Sequence, residues 1–263
     1  ELTSSNYSTS GTKNTIPTKK NAGTYTVYYY APGNSNYNSK SGSVEVTIAK
    51  YNLSNANMTQ GALDYTGSQL KPTTAVTVNI PSESSPTRLT SGTDFTYSYG
   101  TNKDAGENIG SVTITAKDDS NYTGTKTVNF TINKIPATNT AKITGTNTVG
   151  QTLTATTTTN SNGTKSYQWF TATSDSGANK TNITGATNST YVVKGENIGK
   201  YIGVTISIAA TTNYYAAEDS TDYTDAGNNG TAQVNAGEFT VTINPTNKDY
   251  DGEVHNPDRK SVV

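Results

Sequence analysis

One strand-like segment occurs twice in this chain, eighty-four residues apart: Val44-Glu45-Val46-Thr47-Ile48-Ala49-Lys50 is matched by Val128-Asn129-Phe130-Thr131-Ile132-Asn133-Lys134. In both copies β-branched or aromatic residues alternate with polar ones, the period of a strand with one face turned to a core. The match extends upstream, with Asn36-Tyr37 answering Asn121-Tyr122 and Ala22-Gly23 answering Ala105-Gly106. A further stretch recurs at the far end of the chain, where Asp249-Tyr250-Asp251-Gly252 followed by Pro257 repeats Asp64-Tyr65-Thr66-Gly67 followed by Pro72. Similarity at a fixed spacing marks repeated supersecondary units. Residues 1–50 therefore read as the closing part of one unit, 51–134 as a complete unit, and 236–263 as the opening part of another.

Composition decides what such units are made of. Leu, Ile, Val and Phe together number only 40 of 263 residues, a level at which many chains stay disordered. Disorder also needs excess charge, however, and here 19 basic residues face 20 acidic ones, while 18 Tyr supply apolar surface. With 51 Thr and most apolar residues β-branched or aromatic, pleated strands are favoured over helices. Short strands separated by Tyr-Thr-Gly, Ser-Gly-Thr-Asp and Asp-Asp-Ser-Asn predict an all-β sandwich for 51–134.

The same residues exclude several chemistries. Zero Cys removes disulfides, thiolate nucleophiles and thiolate zinc sites, and a single His, His255, removes sites needing two imidazoles. Paired carboxylates occur only in turn-like settings such as Asp118-Asp119, so neither catalysis nor a cofactor is expected. No apolar run reaches the roughly 20 residues that span a bilayer, and a net charge of −1 gives no footprint for nucleic acid. Lys117 to Tyr122 stacks oxygen ligands as a calcium loop does. It lacks the spacing and distal Glu of an EF-hand, and Asp, Ser and Asn are also the residues of ordinary hairpin turns, so no metal is assigned.

The complete unit resembles a known family. Leu89, Gly92, Asp94-Phe95, Tyr97, Tyr99, Asn102, Ala105-Gly106, Val112-Thr113-Ile114, Asn121-Tyr122-Thr123-Gly124 and Phe130-Thr131-Ile132 are similar to the MBG/YDG-type β-sandwich repeats of bacterial surface adhesins. Residues 1–50 keep Leu2-Thr3-Ser4, Ala22-Gly23-Thr24 and Asn36-Tyr37 but lack a Gly after Asn-Tyr. Residues 135–235 follow another pattern, with Val149-Gly150-Gln151-Thr152-Leu153, Tyr167-Gln168-Trp169-Phe170, Ile183-Thr184-Gly185-Ala186, Tyr191 and Gly199-Lys200-Tyr201-Ile202-Gly203-Val204. That series resembles the bacterial immunoglobulin-like modules found between adhesin repeats. In antibody domains the matching Trp packs on a disulfide; without Cys, Trp169 has to be held by apolar packing.

The resemblance implies tandem immunoglobulin-like β-sandwich modules in an elongated array, and a structural stalk or filament-forming segment of an extracellular, cell-surface or secreted bacterial adhesin. Its partners would be neighbouring repeats or identical subunits. The alternative is a module that binds a host glycan or host protein, for which Tyr214 and Tyr215, at a strand end, are the best-placed aromatic contacts. Tyr28-Tyr29-Tyr30 and Tyr97 with Tyr99 are expected to place half of their rings in a core, because alternate strand residues face opposite sides.

The two partial units are complementary halves. Aligning Asp249 with Asp64 sets Val263 opposite Val78, so together they hold everything except the counterpart of Asn79 to Thr87, which reads as a loop. Half a sandwich leaves strand edges and an apolar face open. Either the segment belongs to a longer continuous array, or the carboxy-terminal strands of one chain, from Phe239, Val241 and Ile243 onward, complete a neighbour's Val27 and Val44 to Ile48 strands head to tail.

Overall fold

A computed structural model of the chain describes residues 19–81, 83–175, 177–221 and 233–238; Phe239, Val241 and Ile243 lie outside them. The described residues form strands joined by turns, with 3-10 turns at Leu53–Asn55 and Gly195–Asn197 and no α-helix among them. The all-β expectation from Thr, Val, Ile and Tyr therefore holds. Two compact units divide the chain, the first containing described residues of 1–139, 158–165 and 207–218, the second those of 140–157, 166–206 and 219–263. The stretch 135–235 contributes to both.

The first unit opens with a hairpin, β1 (Gly23–Ala31) and β2 (Lys40–Ile48), a two-stranded sheet of its own. There follow β3 (Tyr51–Asn52), β4 (Asn57–Met58), β5 (Leu63–Asp64), β6 (Val76–Val78), β7 (Thr87–Arg88), β8 (Phe95–Tyr99), β9 (Gly106–Ala116), β10 (Tyr122–Thr123) and β11 (Thr125–Asn133). They make a four-stranded sheet, β5-β11-β9-β8, a three-stranded sheet, β4-β6-β7, and the short parallel pair β10-β3. The described residues of 79–86 join β6 to β7; the loop expected over Asn79 to Thr87 ends one residue earlier, since Thr87 pairs with Val78.

The two larger sheets share one core. Val112 and Ile114 of β9, Phe95 of β8 and Tyr122 cluster with Leu53, Met58, Val76, Val78 and Leu89. A second, smaller cluster joins Phe130 and Ile132 of β11 to Ala105, with Leu63, Tyr65 and Leu70 packed on it. Burying each such large apolar side chain stabilises by roughly 1.5–3 kcal/mol relative to exposure. The pattern is the alternation read from the sequence, since Val112 and Ile114 are inside while Ser111 and Thr113 are not.

The second unit is built chiefly from β12 (Thr140–Thr144), β13 (Thr152–Thr158), β14 (Lys165–Ala172), β15 (Thr181–Asn182), β16 (Thr190–Val192), β17 (Tyr201–Ile208) and β18 (Ala217–Ser220). They pair as β12-β13-β16 and β15-β14-β17-β18. Ile143, Leu153 and Ala155 from one sheet meet Trp169, Ile202, Val204 and Ile206 from the other. Trp169 is fully buried, as the sequence requires without Cys: its ring stacks on Tyr191 at 5.6 Å between centroids, and its indole Nε1 donates to the Asn188 carbonyl at 2.8 Å.

Candidate interaction surface

The β1–β2 hairpin is paired without interruption from Gly23 opposite Ile48 to Ala31 opposite Lys40. The second copy of the motif, β9–β11, starts from the same pair: Gly106 lies opposite Ile132. Past that point β9 carries a bulge, where Asn108 adopts a left-handed φ of 51° and Gly110 faces Phe130. Beyond it the registers agree again. Val27 opposite Val44 corresponds to Val112 opposite Val128, and Tyr29 opposite Gly42 to Ile114 opposite Lys126. On the reverse face Thr24 and Thr47 join hydroxyls at 3.1 Å, much as Thr113 and Thr127 do at 2.8 Å.

Alternation sorts the hairpin into two faces. Tyr25, Val27, Tyr29, Val44 and Val46 share one, and Thr24, Thr26, Tyr28, Ser43 and Glu45 share the other. In β9–β11 the first face is the core. In β1–β2 it is open: Tyr29, Val44 and Val46 keep 49%, 52% and 46% of their surface exposed, against 2% for Phe130. The expectation that half of Tyr28, Tyr29 and Tyr30 would be buried fails for the same reason. All three are exposed, because among the described residues no second layer covers either face. In β8, by contrast, Tyr97 and Tyr99 are half-buried and stacked at 6.0 Å.

The hairpin is fixed at its base and closed at its tip by polar contacts. Ala22 N donates to the Asn121 side chain at 2.8 Å, the Asn121 amide donates to Asn21 Oδ1 at 3.3 Å, and Lys50 Nζ donates to the Asp118 carbonyl. Tyr25 OH reaches the Asn21 carbonyl at 2.8 Å. At the tip the Asn34 side chain accepts from the backbone N–H of Asn36 and Tyr37 at 2.8 and 3.0 Å, an Asx-type closure. This replaces the Gly of the other copy, where Gly124 sits at φ +79° and a Cβ would meet Asn52 Oδ1 at 2.6 Å.

The expected ligand-contact tyrosines lie elsewhere in the first unit. Tyr214 is half-buried, its ring meeting Tyr65 edge-on at 5.6 Å, and its backbone bridges Ile135. Tyr215 is 55% exposed, with its N–H on the Ile135 carbonyl. Asn213, for which the sequence carries no signal, ties this loop to Asp104 and Ala105. Its Oδ1 accepts from Ala105 N at 2.8 Å and its Nδ2 donates to Asp104 Oδ1 at 3.1 Å, while Lys134 Nζ donates to the Thr211 carbonyl at 2.7 Å. Nothing in Thr-Asn-Tyr-Tyr distinguishes such an Asn from an ordinary turn residue.

The candidate calcium loop is a hydrogen-bonded turn. Ser120 N and Oγ both donate to the Lys117 carbonyl, and the Lys117 ammonium lies 4.0 Å from Asp119. Among the described residues no group of three or more His, Cys, Asp or Glu gathers into a metal site. Burial raises the proton affinity of three tyrosine hydroxyls, Tyr99, Tyr122 and Tyr191, above the ordinary value of 10.0. The Tyr191 hydroxyl also donates to Asn197 Oδ1 at 2.8 Å.

Comparison with models of protein families finds no match for this chain, and comparison with curated proteins finds none either.

Proposed function

We propose that this chain is a structural segment, a stalk or filament-forming part of a bacterial surface or secreted adhesin, in which β-sandwich repeats of MBG/YDG type and an immunoglobulin-like module follow one another outside the cell. One observation carries the reading: the β1–β2 hairpin and the β9–β11 hairpin share a sequence pattern and a starting pair, and past the bulge in β9 their facing pairs correspond again. Repetition of one supersecondary unit along a chain builds length and presents surfaces at fixed intervals. A third occurrence of the pattern, at Asp249 to Pro257, continues the series.

The test is binding set against mechanics. The whole chain, fixed to a surface, is expected to resist pulling with discrete unfolding steps and to bind neither glycan arrays nor host surface proteins. Saturable glycan or host-protein binding that Tyr215→Ala removes would overturn this reading in favour of a binding module.

A further inference from the structure

Two joints within the first unit are made of the same bonds. At the first, Asn121, in the turn ahead of β10, meets the start of β1: its Oδ1 accepts from Ala22 N at 2.8 Å and its amide donates to Asn21 Oδ1 at 3.3 Å. At the second, Asn213, in the turn after β17, meets the start of β9: its Oδ1 accepts from Ala105 N at 2.8 Å and its amide donates to Asp104 Oδ1 at 3.1 Å. Asn21-Ala22-Gly23 and Asp104-Ala105-Gly106 hold the same place in the repeated pattern.

The backbone repeats the arrangement. Tyr51, which follows Lys50, donates its N–H to the Asn121 carbonyl at 3.0 Å, and Ile135, which follows Lys134, donates to the Asn213 carbonyl at 3.1 Å. Each contact opens a short parallel pairing, Tyr122 opposite Tyr51 and Tyr214 opposite Ile135. Each Lys reaches a carbonyl just upstream of the Asn, Lys50 that of Asp118 and Lys134 that of Thr211. A hydroxyl shapes both turns: Ser120 Oγ accepts from Tyr122 N at 3.2 Å, and Thr211 Oγ1 from Tyr214 N at 3.1 Å. The Asn-Tyr dipeptide alone does not make this joint. Asn36-Tyr37 lies at a hairpin tip, where the Asn34 side chain accepts from both N–H groups.

We propose that these are two copies of one socket and plug, with Asn121 and Asn213 as the positioning residues. The socket is the Asn- or Asp-Ala-Gly start of a strand, together with the Lys and the next residue's N–H that follow its paired closing strand. The plug is a turn offering one Asn side chain and the carbonyls around it. An amide can accept from a backbone N–H with one end and donate to a carboxylate with the other. The two sockets differ in what they demand. Asn21 can turn its own amide to donate, whereas the Asp104 carboxylate only accepts, so the second socket requires Asn and the first also tolerates Asp. This inference goes beyond the proposed function and does not rest on it, because a stalk and a binding module would use the joint alike.

Amide exchange of the whole chain, read residue by residue by NMR, tests the proposal with changes that keep side-chain shape. Asn213→Asp sets two carboxylates against each other and is expected to speed exchange of the Ala105 and Ile135 amides roughly tenfold or more, the weight of about one hydrogen bond to a charged group. The amides of Val112 to Ala116 on β9 are expected to stay unchanged. Asp104→Asn alone keeps an acceptor in place and is expected to alter little. Combined, the two changes exchange the roles of donor and acceptor, and the rates are expected to return to within roughly threefold of the unaltered chain. Asn121→Asp is expected to disturb the Ala22 and Tyr51 amides less than Asn213→Asp disturbs its own pair. Unchanged exchange in Asn213→Asp overturns the proposal. So does a loss that Asp104→Asn fails to recover, a loss that spreads equally to Val112 to Ala116, or equal disturbance at the two joints. Each of these results leaves the stalk reading standing, and glycan binding would remove that reading without touching the joint.

Discussion

The β1–β2 and β9–β11 hairpins share a sequence pattern, a starting register and a pair of facing threonines, yet one lies open and the other forms half of a core. The difference teaches that pairing and burial have separate causes. Alternation of β-branched, aromatic and Thr side chains, with a turn that closes, sets which residues face each other. Whether a face is dry depends on residues far away in the chain, here Leu53, Met58, Leu63, Tyr65, Val76 and Val78, which cover β9–β11 and no part of β1–β2. An isolated two-stranded hairpin is marginal in water, so β1–β2 leans on its polar anchors at Asn121 and Asp118.

Matched substitutions at equivalent positions test that separation. Phe130→Ala is expected to cost about 3–5 kcal/mol in chemical denaturation, through lost burial and the cavity left behind. Val46→Ala, at the equivalent place on the open face, is expected to change the stability of the unassociated chain by less than about 0.5 kcal/mol. Equal costs at the two positions would mean that β1–β2 is covered after all.

The next pair concerns Asn102 and its counterpart, Lys19. Asn102 is buried with a left-handed φ of 43°; its amide donates to the carbonyls of Leu70 and Ser111, and its Oδ1 accepts from Ser111 N. Asn102→Ala strands those backbone groups and is expected to cost about 2–3 kcal/mol. Lys19 is exposed, with its ammonium over the Tyr25 ring at 5.5 Å, and Lys19→Ala is expected to stay within about 0.5 kcal/mol. Calorimetry of both variants checks the contrast.

A smaller effect is expected at the bulge. A Cβ at Gly110 would stand 2.6 Å from the Phe130 ring, so Gly110→Ala should destabilise by about 1–3 kcal/mol through overpacking. The equivalent hairpin position already carries Tyr25 opposite the smaller Val46. The expected compensation is direct: Gly110→Ala combined with Phe130→Val recovers part of the loss that the two single changes predict together, measured as a double-mutant cycle.

The smallest effect is a pH dependence of the covered module. Burial raises the Tyr99 and Tyr122 hydroxyls above 10.0, with nearby Asp94 and Glu83 adding to the shift at Tyr122. The folded state therefore holds those protons more tightly than the unfolded state. Their stabilisation is complete below the ordinary tyrosine value and is lost as pH rises through the raised folded values. Alkaline titration followed by denaturation should show this fall, and Tyr122→Phe should flatten it.

Much of this architecture was legible in the sequence, because strand alternation and turn residues are local signals. The match of Val44 to Lys50 with Val128 to Lys134 located both second strands, the expected loop from Asn79 ran one residue too far because Thr87 opens β7, and the lack of Cys required the apolar seat that Trp169 has. Burial was less legible. Tyr28, Tyr29 and Tyr30 carry the same alternation as buried strand residues, and nothing within the strand records that its covering layer lies elsewhere. Asn213 escaped for a related reason, since its bonds to Asp104 and Ala105 join residues more than a hundred positions apart.

Amide hydrogen exchange, read strand by strand in dilute solution, compares the two hairpins directly. The β1–β2 amides are expected to exchange roughly a hundredfold or more faster than those of β9–β11, since open strands exchange by local opening and core strands approach global unfolding. Equal protection of the two hairpins would contradict the separation of pairing from burial.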